Sequence, residues 1–181
     1  MVQNEQMAPA TATLSPESHQ PAHVPSAQST TQLPPELEKA QKLLDAGRAE
    51  EALKVVIGRS SGGPLAVNAR AVCLMRLNQP AEAVKALRTI ALESGGLLLK
   101  RNTSLAVKTN FATALALSGN VSGASRILGE IEEKNDKHVQ ALRQAIERWQ
   151  KNLSTWEWLQ WKTGIAIERA VQLDFPPGTL I

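Results

Sequence analysis

The sequence GRAEEA at residues 47–52 recurs in altered form as NQPAEA at residues 78–83 and as GNVSGA at residues 119–124. Each copy begins with Gly or Asn and has Ala as its sixth residue. Gly and Asn readily adopt the left-handed backbone conformation that ends a helix, and the small Ala side chain lets two helices pack closely. Because an apolar helical block precedes and follows each copy, the pattern predicts three helix–turn–helix hairpins stacked as a solenoid.

Apolar residues at helical spacing predict six helices in these hairpins and one long helix after them. The predicted spans are 35–46, 49–58, 64–77, 80–93, 104–118 and 121–134 for the hairpins, and about 136–162 for the long helix. The third helix is apolar on nearly all sides, as expected for a helix in the middle of a stack. The sequence therefore predicts an all-α fold with a helical-repeat domain over residues 34–164.

The two ends of the chain differ in composition from this helical part. Residues 1–33 are rich in Ala, Pro, Ser, Thr and Gln and have no apolar period, so they are predicted to form a disordered arm. In residues 165–181, Val171, Leu173 and Phe175 alternate with polar residues. This alternation predicts an extended tail of the kind that lies in a groove.

Charge and cysteine content limit the possible partners. The net charge is +3, and residues after 33 carry all 20 basic residues. Basic residues alternate with acidic ones along the helices, which does not favour nucleic-acid binding. The lone Cys73 lies in an apolar helical run and is predicted to be a buried structural thiol, so no disulfide framework is expected.

Residues for catalysis or metal binding are sparse. His19, His23 and His138 have no partner at metal-ligand spacing, and no Ser lies in a nucleophile elbow. We therefore expect no enzyme activity, metal or cofactor. The first residues lack a secretory-signal pattern and no apolar stretch has the length of a membrane span, so a cytoplasmic location is expected.

Paired small residues in the hairpins resemble the tetratricopeptide repeat family. Ala lies in each first helix, twelve residues before the Ala of the second helix, at the pairs Ala40 and Ala52, Ala71 and Ala83, Ala112 and Ala124. Pro64 lies where the family favours Pro between repeats. The repeat spacing departs from the family's 34 residues, and Leu replaces the usual Tyr of the first helix at Leu43, Leu74 and Leu115. The chain thus resembles a divergent member of the family or a tetratricopeptide-like array.

The resemblance implies a right-handed array whose concave groove binds a peptide or partner protein. One subclass of the family holds acidic C-terminal peptides of chaperones with a clamp of Lys, Asn and Arg. The corresponding positions in this chain are Leu37, Gln41, Asn68 or Ala69, Ala106 and Asn110. The basic members of the clamp are absent, which argues against chaperone-tail binding but leaves Asn68 and Asn110 as candidate partner-binding residues.

All four Trp lie in the second half of the predicted long helix. Trp149 and Trp156 share its apolar stripe, which is expected to pack on the sixth helix and cap the array. Trp158, Trp161 and Ile165 fall off that stripe and predict a second face, either a site for a partner or membrane interface or a surface covered by the tail.

Together these features predict a non-catalytic protein–protein interaction module, an adaptor or assembly factor with a protein or peptide partner. The alternative is a peripheral membrane or complex-docking subunit that acts through the Trp-rich helix. Membrane contact is the less favoured of the two. The oligomeric state is not indicated by the sequence.

Overall fold

The computed structural model describes residues 33–59, 62–94, 96, 98–165, 167 and 169–180. Within these residues the chain forms eight helices and no named strand, so the fold is all-α as predicted. The helices are α1 (Pro35–Asp45), α2 (Ala49–Arg59), α3 (Pro64–Arg76), α4 (Pro80–Ala91), α5 (Leu105–Leu117), α6 (Val121–Glu130), α7 (Lys137–Lys151) and α8 (Thr155–Lys162). The predicted arm lies outside the described residues except for Leu33, which is half-buried against the core.

The first six helices form three hairpins, because α1 packs on α2, α3 on α4, and α5 on α6. The hairpins are joined through contacts of α2 with α3 and of α4 with α5. Both α1 and α5 also contact α3, so the first helices of the hairpins form one layer. The right-handed twist implied by the resemblance stays a prediction.

The three turns that decide the fold have the predicted backbone conformation. Gly47, Asn78 and Gly119 all have positive φ, at 73°, 57° and 86°. The six paired Ala side chains are completely buried, which is the close helix packing that the pattern predicted. They are Ala40, Ala52, Ala71, Ala83, Ala112 and Ala124.

The sixth helix is shorter than predicted, since α6 ends at Glu130 and not at residue 134. Ile131 leaves the helix in an extended conformation with ψ 122° and is buried. The polar residues that follow connect it to Asp136. The Asp136 side chain accepts hydrogen bonds from the backbone N–H groups of His138 and Val139, at 2.8 Å and 3.1 Å, and so begins α7.

The prediction of one long helix over 136–162 is wrong, because the chain breaks between Lys151 and Thr155. Ser154 and Glu157 form a capping box at this break. The Ser154 hydroxyl accepts from the Glu157 N–H at 3.3 Å, and the Glu157 carboxylate accepts from the Ser154 N–H at 2.8 Å. These two bonds satisfy helix-start donors and begin a new helix, α8.

The break divides the predicted capping stripe. Val139, Leu142, Ile146 and Trp149 are buried on α7, which packs against α5 and α6 as the prediction required. Trp156 lies beyond the break and is 67% exposed, so its predicted place on the capping stripe is wrong. The new helix start changes the direction of every side chain after Ser154, which a continuous helical spacing could not anticipate.

Candidate functional site

Four polar side chains are buried on the contacting helices α3 and α5. They are Asn68 on α3 and Thr109, Asn110 and Thr113 on α5, each at most 3% exposed. A buried side-chain amide is costly unless its donors and acceptors are satisfied. The hydrogen-bond partners of the two Asn therefore indicate what this surface holds.

The C-terminal tail covers this surface. Its described residues, 165, 167 and 169–180, lie in no helix or strand. Val171 donates its N–H to the Ala116 carbonyl of α5 at 3.0 Å. Val171 and Leu180 are buried, and the half-buried Leu173 and Phe175 pack against the same core, whereas Gln172 and Asp174 are exposed. The predicted alternation of apolar and polar residues is therefore present in the folded tail.

Asn68 and Asn110 hold the backbone of the tail at Thr179. The Asn110 Oδ1 accepts from the Thr179 N–H at 3.0 Å, and the Asn110 Nδ2 donates to the Thr179 carbonyl at 2.6 Å. The same Nδ2 donates to Asn68 Oδ1 at 2.8 Å. Asn68 Nδ2 donates to the carbonyls of Thr179 and Leu180, each at 3.3 Å. The two candidate residues thus act together on one segment.

Arg76 extends this set of backbone contacts. Its Nε donates to the Pro177 carbonyl at 2.8 Å, and its Nη2 reaches the Gly178 carbonyl at 3.4 Å. Burial lowers the pKa of the Arg76 guanidinium, while the nearby carboxylate of Asp45 acts in the opposite direction. Arg76 thus places a guanidinium group against the tail backbone, although the clamp positions indicated by the sequence resemblance hold no basic residue.

A second anchor joins the tail to α7. The two guanidinium nitrogens Nη1 and Nη2 of Arg148 donate to the two carboxylate oxygens of Asp174, at 2.7 Å and 2.8 Å. These hydrogen bonds lower the pKa of Asp174 from 3.8 to about 2. Both side chains are exposed, so the pair orients the tail and contributes little to stability.

The predicted Trp face is only partly present. Trp158 and Ile165 are exposed, at 48% and 54%, as the sequence suggested. Trp161 is instead half-buried, and its ring meets that of Trp149 edge-on, with centroids 5.3 Å apart and planes at 75°. Trp161 therefore belongs to the packing of α8 on α7 and not to a face shared with Trp158 and Ile165.

The exposed apolar surface of α8 consists of Trp156, Trp158 and Leu159, with Ile165 just beyond the helix end. The Lys162 ammonium lies 5.5 Å from the centroid of the Trp158 ring. No described contact places the tail segment 171–175 on this surface. The alternative in which the tail covers Trp158 is therefore not supported by these contacts.

Arg76, Gly178, Arg148 and Asp174 were missed by sequence reasoning. A signal for Arg76 was present, because Asn68, Val72 and Arg76 are spaced four apart and form one ridge along α3. Extending this ridge along α3 from Asn68 indicates Arg76 as a residue of the same surface. No local pattern pairs Arg148 with Asp174, which lie 26 residues apart in the chain.

The described residues offer little for metal, membrane or thiol chemistry. No group of three His, Cys, Asp or Glu side chains is placed to hold a metal ion there. Among the same residues, none of the helices has the length and apolar character required to cross a bilayer. Cys73 is buried as predicted, and burial raises its pKa to about 11, which keeps it as an unreactive thiol.

Comparison of the chain with protein-family models, with curated proteins and with solved structures found no match.

Proposed function

We propose that this protein is a non-catalytic protein–protein interaction module that binds an extended segment of a partner protein in the groove between α3 and α5. The tetratricopeptide-like hairpins would act as the scaffold of a cytoplasmic adaptor or assembly factor. The observation that carries the proposal is the Asn68–Asn110 pair, which holds the N–H and the carbonyl of one extended residue, Thr179.

Backbone recognition of this kind is a general solution to peptide binding. Main-chain hydrogen bonds provide affinity for any extended segment, and pockets for side chains provide selectivity. In this groove Asn68, Asn110 and Arg76 contact four consecutive residues, 177–180, through backbone atoms. Two buried Asn side chains are costly unless their polar atoms are satisfied, and in this groove the backbone of the chain's own tail satisfies them.

The experiment compares partner capture by immobilised full-length chains. The variants are the wild type, Gly178→Ala, Gly178→Ala with Asn110→Ala, and Trp158→Ala. The Gly178→Ala substitution weakens docking of the protein's own tail. This variant should therefore capture more of a partner that binds in the groove than the wild type does. Adding Asn110→Ala should abolish that gain, and Trp158→Ala should leave capture unchanged. Failure to find any partner that depends on Asn110 would contradict the proposal.

A second candidate function uses the exposed surface of α8 as a docking site for a membrane interface or a larger complex. It is favoured by the exposed Trp156, Trp158 and Leu159 on one short helix, with Lys162 beside Trp158. Trp and Lys together suit the boundary between water and anionic headgroups. Sedimentation with vesicles containing phosphatidylserine should recover the wild type but not Trp158→Ala with Leu159→Ala if this candidate is correct.

A further inference from the structure

The tail runs antiparallel to α3, and its contacts follow one ridge of that helix. Pro177 meets Arg76 at the end of α3. Gly178 lies against Val72 one turn earlier, and Thr179 and Leu180 meet Asn68 one turn before that. The groove therefore holds the segment in one direction, because the four residues 177–180 span the two turns of α3 between Arg76 and Asn68.

The position of Gly178 accepts only glycine without strain. Its φ is 82°, in the left-handed region that other residues adopt at a cost. A Cβ atom there would lie 2.8 Å from Met75 Cε and 3.0 Å from Val72 Cγ2. The Met75 methyl group can move, but Val72 is fixed within the buried face of α3. Backbone conformation and space therefore both select glycine.

The flanking positions have different requirements. At Thr179, Asn110 holds the main-chain N–H and carbonyl, which excludes Pro from this position. The Leu180 side chain is only 3% exposed and belongs to the hydrophobic core, so this position requires an aliphatic side chain. Pro176 and Pro177 restrict the backbone before the glycine, which lowers the entropy that the segment loses on binding.

We infer that the groove is selective for a partner segment of the form Pro-Gly-Thr-Leu, and that the protein's own tail occupies the site as an intramolecular competitor. The inference rests on the proposed function and names its ligand class. The partner would supply a proline-rich extended segment with glycine two residues before a leucine, bound antiparallel to α3 and anchored by Asn110 and Arg76.

The link between α8 and the tail is suited to exchange of the occupant. Gly164, Ile165, Arg169 and Ala170 are exposed. Ile167 packs against the core and Arg169 Nη1 donates to the Asn152 carbonyl at 3.3 Å, so the link can stay in place when residues 171–180 leave the groove. A tethered segment of this kind competes at an effective concentration on the order of millimolar. A free segment therefore displaces the tail only if it has high affinity for the groove or if docking of the tail is weakened. We expect the wild-type chain to bind the isolated segment poorly.

The test uses the full-length chain and a fluorescent peptide of residues 170–180, blocked at both ends, with binding followed by fluorescence polarisation. The Gly178→Ala chain should bind this peptide at least about tenfold more tightly than the wild-type chain, because its own tail competes less. The double variant Gly178→Ala with Asn110→Ala should lose the binding. A matched peptide carrying Gly178→Ala should bind the Gly178→Ala chain at least about tenfold more weakly than the unmodified peptide.

Three results would overturn the inference. Equal binding of the two peptides would remove the selectivity for glycine. Absence of peptide binding by the Gly178→Ala chain, with its helical circular dichroism intact, would mean that the groove does not accept the segment from another molecule. A wild-type chain that forms tail-exchanged dimers in light scattering would make a second copy the occupant. If partner capture still depended on Asn110 in these cases, the proposed function would stand and only its ligand class would fail.

Discussion

Trp161 meets Trp149 edge-on, with ring centroids 5.3 Å apart, although the two residues lie on different helices on either side of the break at Ser154. Edge-on aromatic pairs contribute attraction beyond the burial of their area. This contact, together with the half-burial of Trp161 against the core, is what fixes α8 on α7.

The first prediction separates the two kinds of Trp on α8. Trp161→Ala should destabilise the protein by roughly 1–2 kcal/mol, because it removes the Trp149 contact and half-buried area. Trp156→Ala is the matched control and should change stability by less than about 0.5 kcal/mol, since its ring is 67% exposed. Urea unfolding measures both. Equal effects of the two changes would show that Trp161 does not pack on α7.

The second prediction concerns the unequal roles of Asn110 and Asn68. Asn110 bonds the Thr179 N–H and carbonyl at 3.0 Å and 2.6 Å, whereas both Asn68 bonds to the tail are 3.3 Å. Asn110→Ala should therefore accelerate hydrogen exchange of the Thr179 amide by at least about tenfold, and more than Asn68→Ala does.

The amide of Ala112 in α5 is the internal reference for this measurement, since it reports opening of the helix itself. Its exchange should stay slow when the tail is released. If the Thr179 amide stays equally protected in Asn110→Ala, the contact between Asn110 and the tail is not what holds this segment in the groove.

The repeats could be predicted from the sequence because their signals are local. Gly47, Asn78 and Gly119 each end a helix by their own backbone preference, and the buried Ala pairs follow at fixed spacing. The break before α8 was also encoded locally, by Ser154 and Glu157. The apolar spacing alone does not reveal this break, because apolar residues continue at helical spacing across it.

The location of the tail could not be predicted in the same way. Its alternation indicated an extended segment, but Thr179 and Asn110 are 69 residues apart, and no local pattern joins them. From the sequence, Asn68 and Asn110 are indicated only by the resemblance to groove positions of the tetratricopeptide repeat family. The two Asn are paired because both bind the backbone of the tail. This arrangement depends on long-range packing of α3 and α5.

The third prediction tests the small-residue packing of the hairpins. Ala83 is completely buried in α4, so Ala83→Leu should overpack the hairpin and cost about 1–3 kcal/mol. The melting temperature should fall by roughly 2–4 °C for each kcal/mol in a domain of this size. Ala81→Leu on the same helix is the control, because Ala81 is exposed. Identical melting of the two variants would contradict the repeat alignment.

The fourth prediction is a pH dependence of tail docking that arises from Asp174. Hydrogen bonds from Arg148 lower its pKa from 3.8 to about 2 when the tail is docked. The docked state therefore favours the ionised carboxylate. The contribution of the ionised Asp174 to tail docking is complete above about pH 3.8. It is lost as the pH falls toward 2, where the docked form also takes up the proton. Because the pair is exposed, added salt should weaken the effect.

The measurement is an NMR titration of the Asp174 carboxyl carbon in the full-length chain, with the Gly178 amide resonance as a reporter of docking. In the wild type the carboxyl group should titrate near 2, and in Arg148→Gln it should return toward 3.8. Asp174→Asn is the control. In this variant the Gly178 amide resonance should no longer show the pH-dependent change that follows titration of Asp174, and any change that remains comes from other carboxylates. A wild-type Asp174 that titrates at 3.8 would mean that Arg148 does not hold the tail in solution.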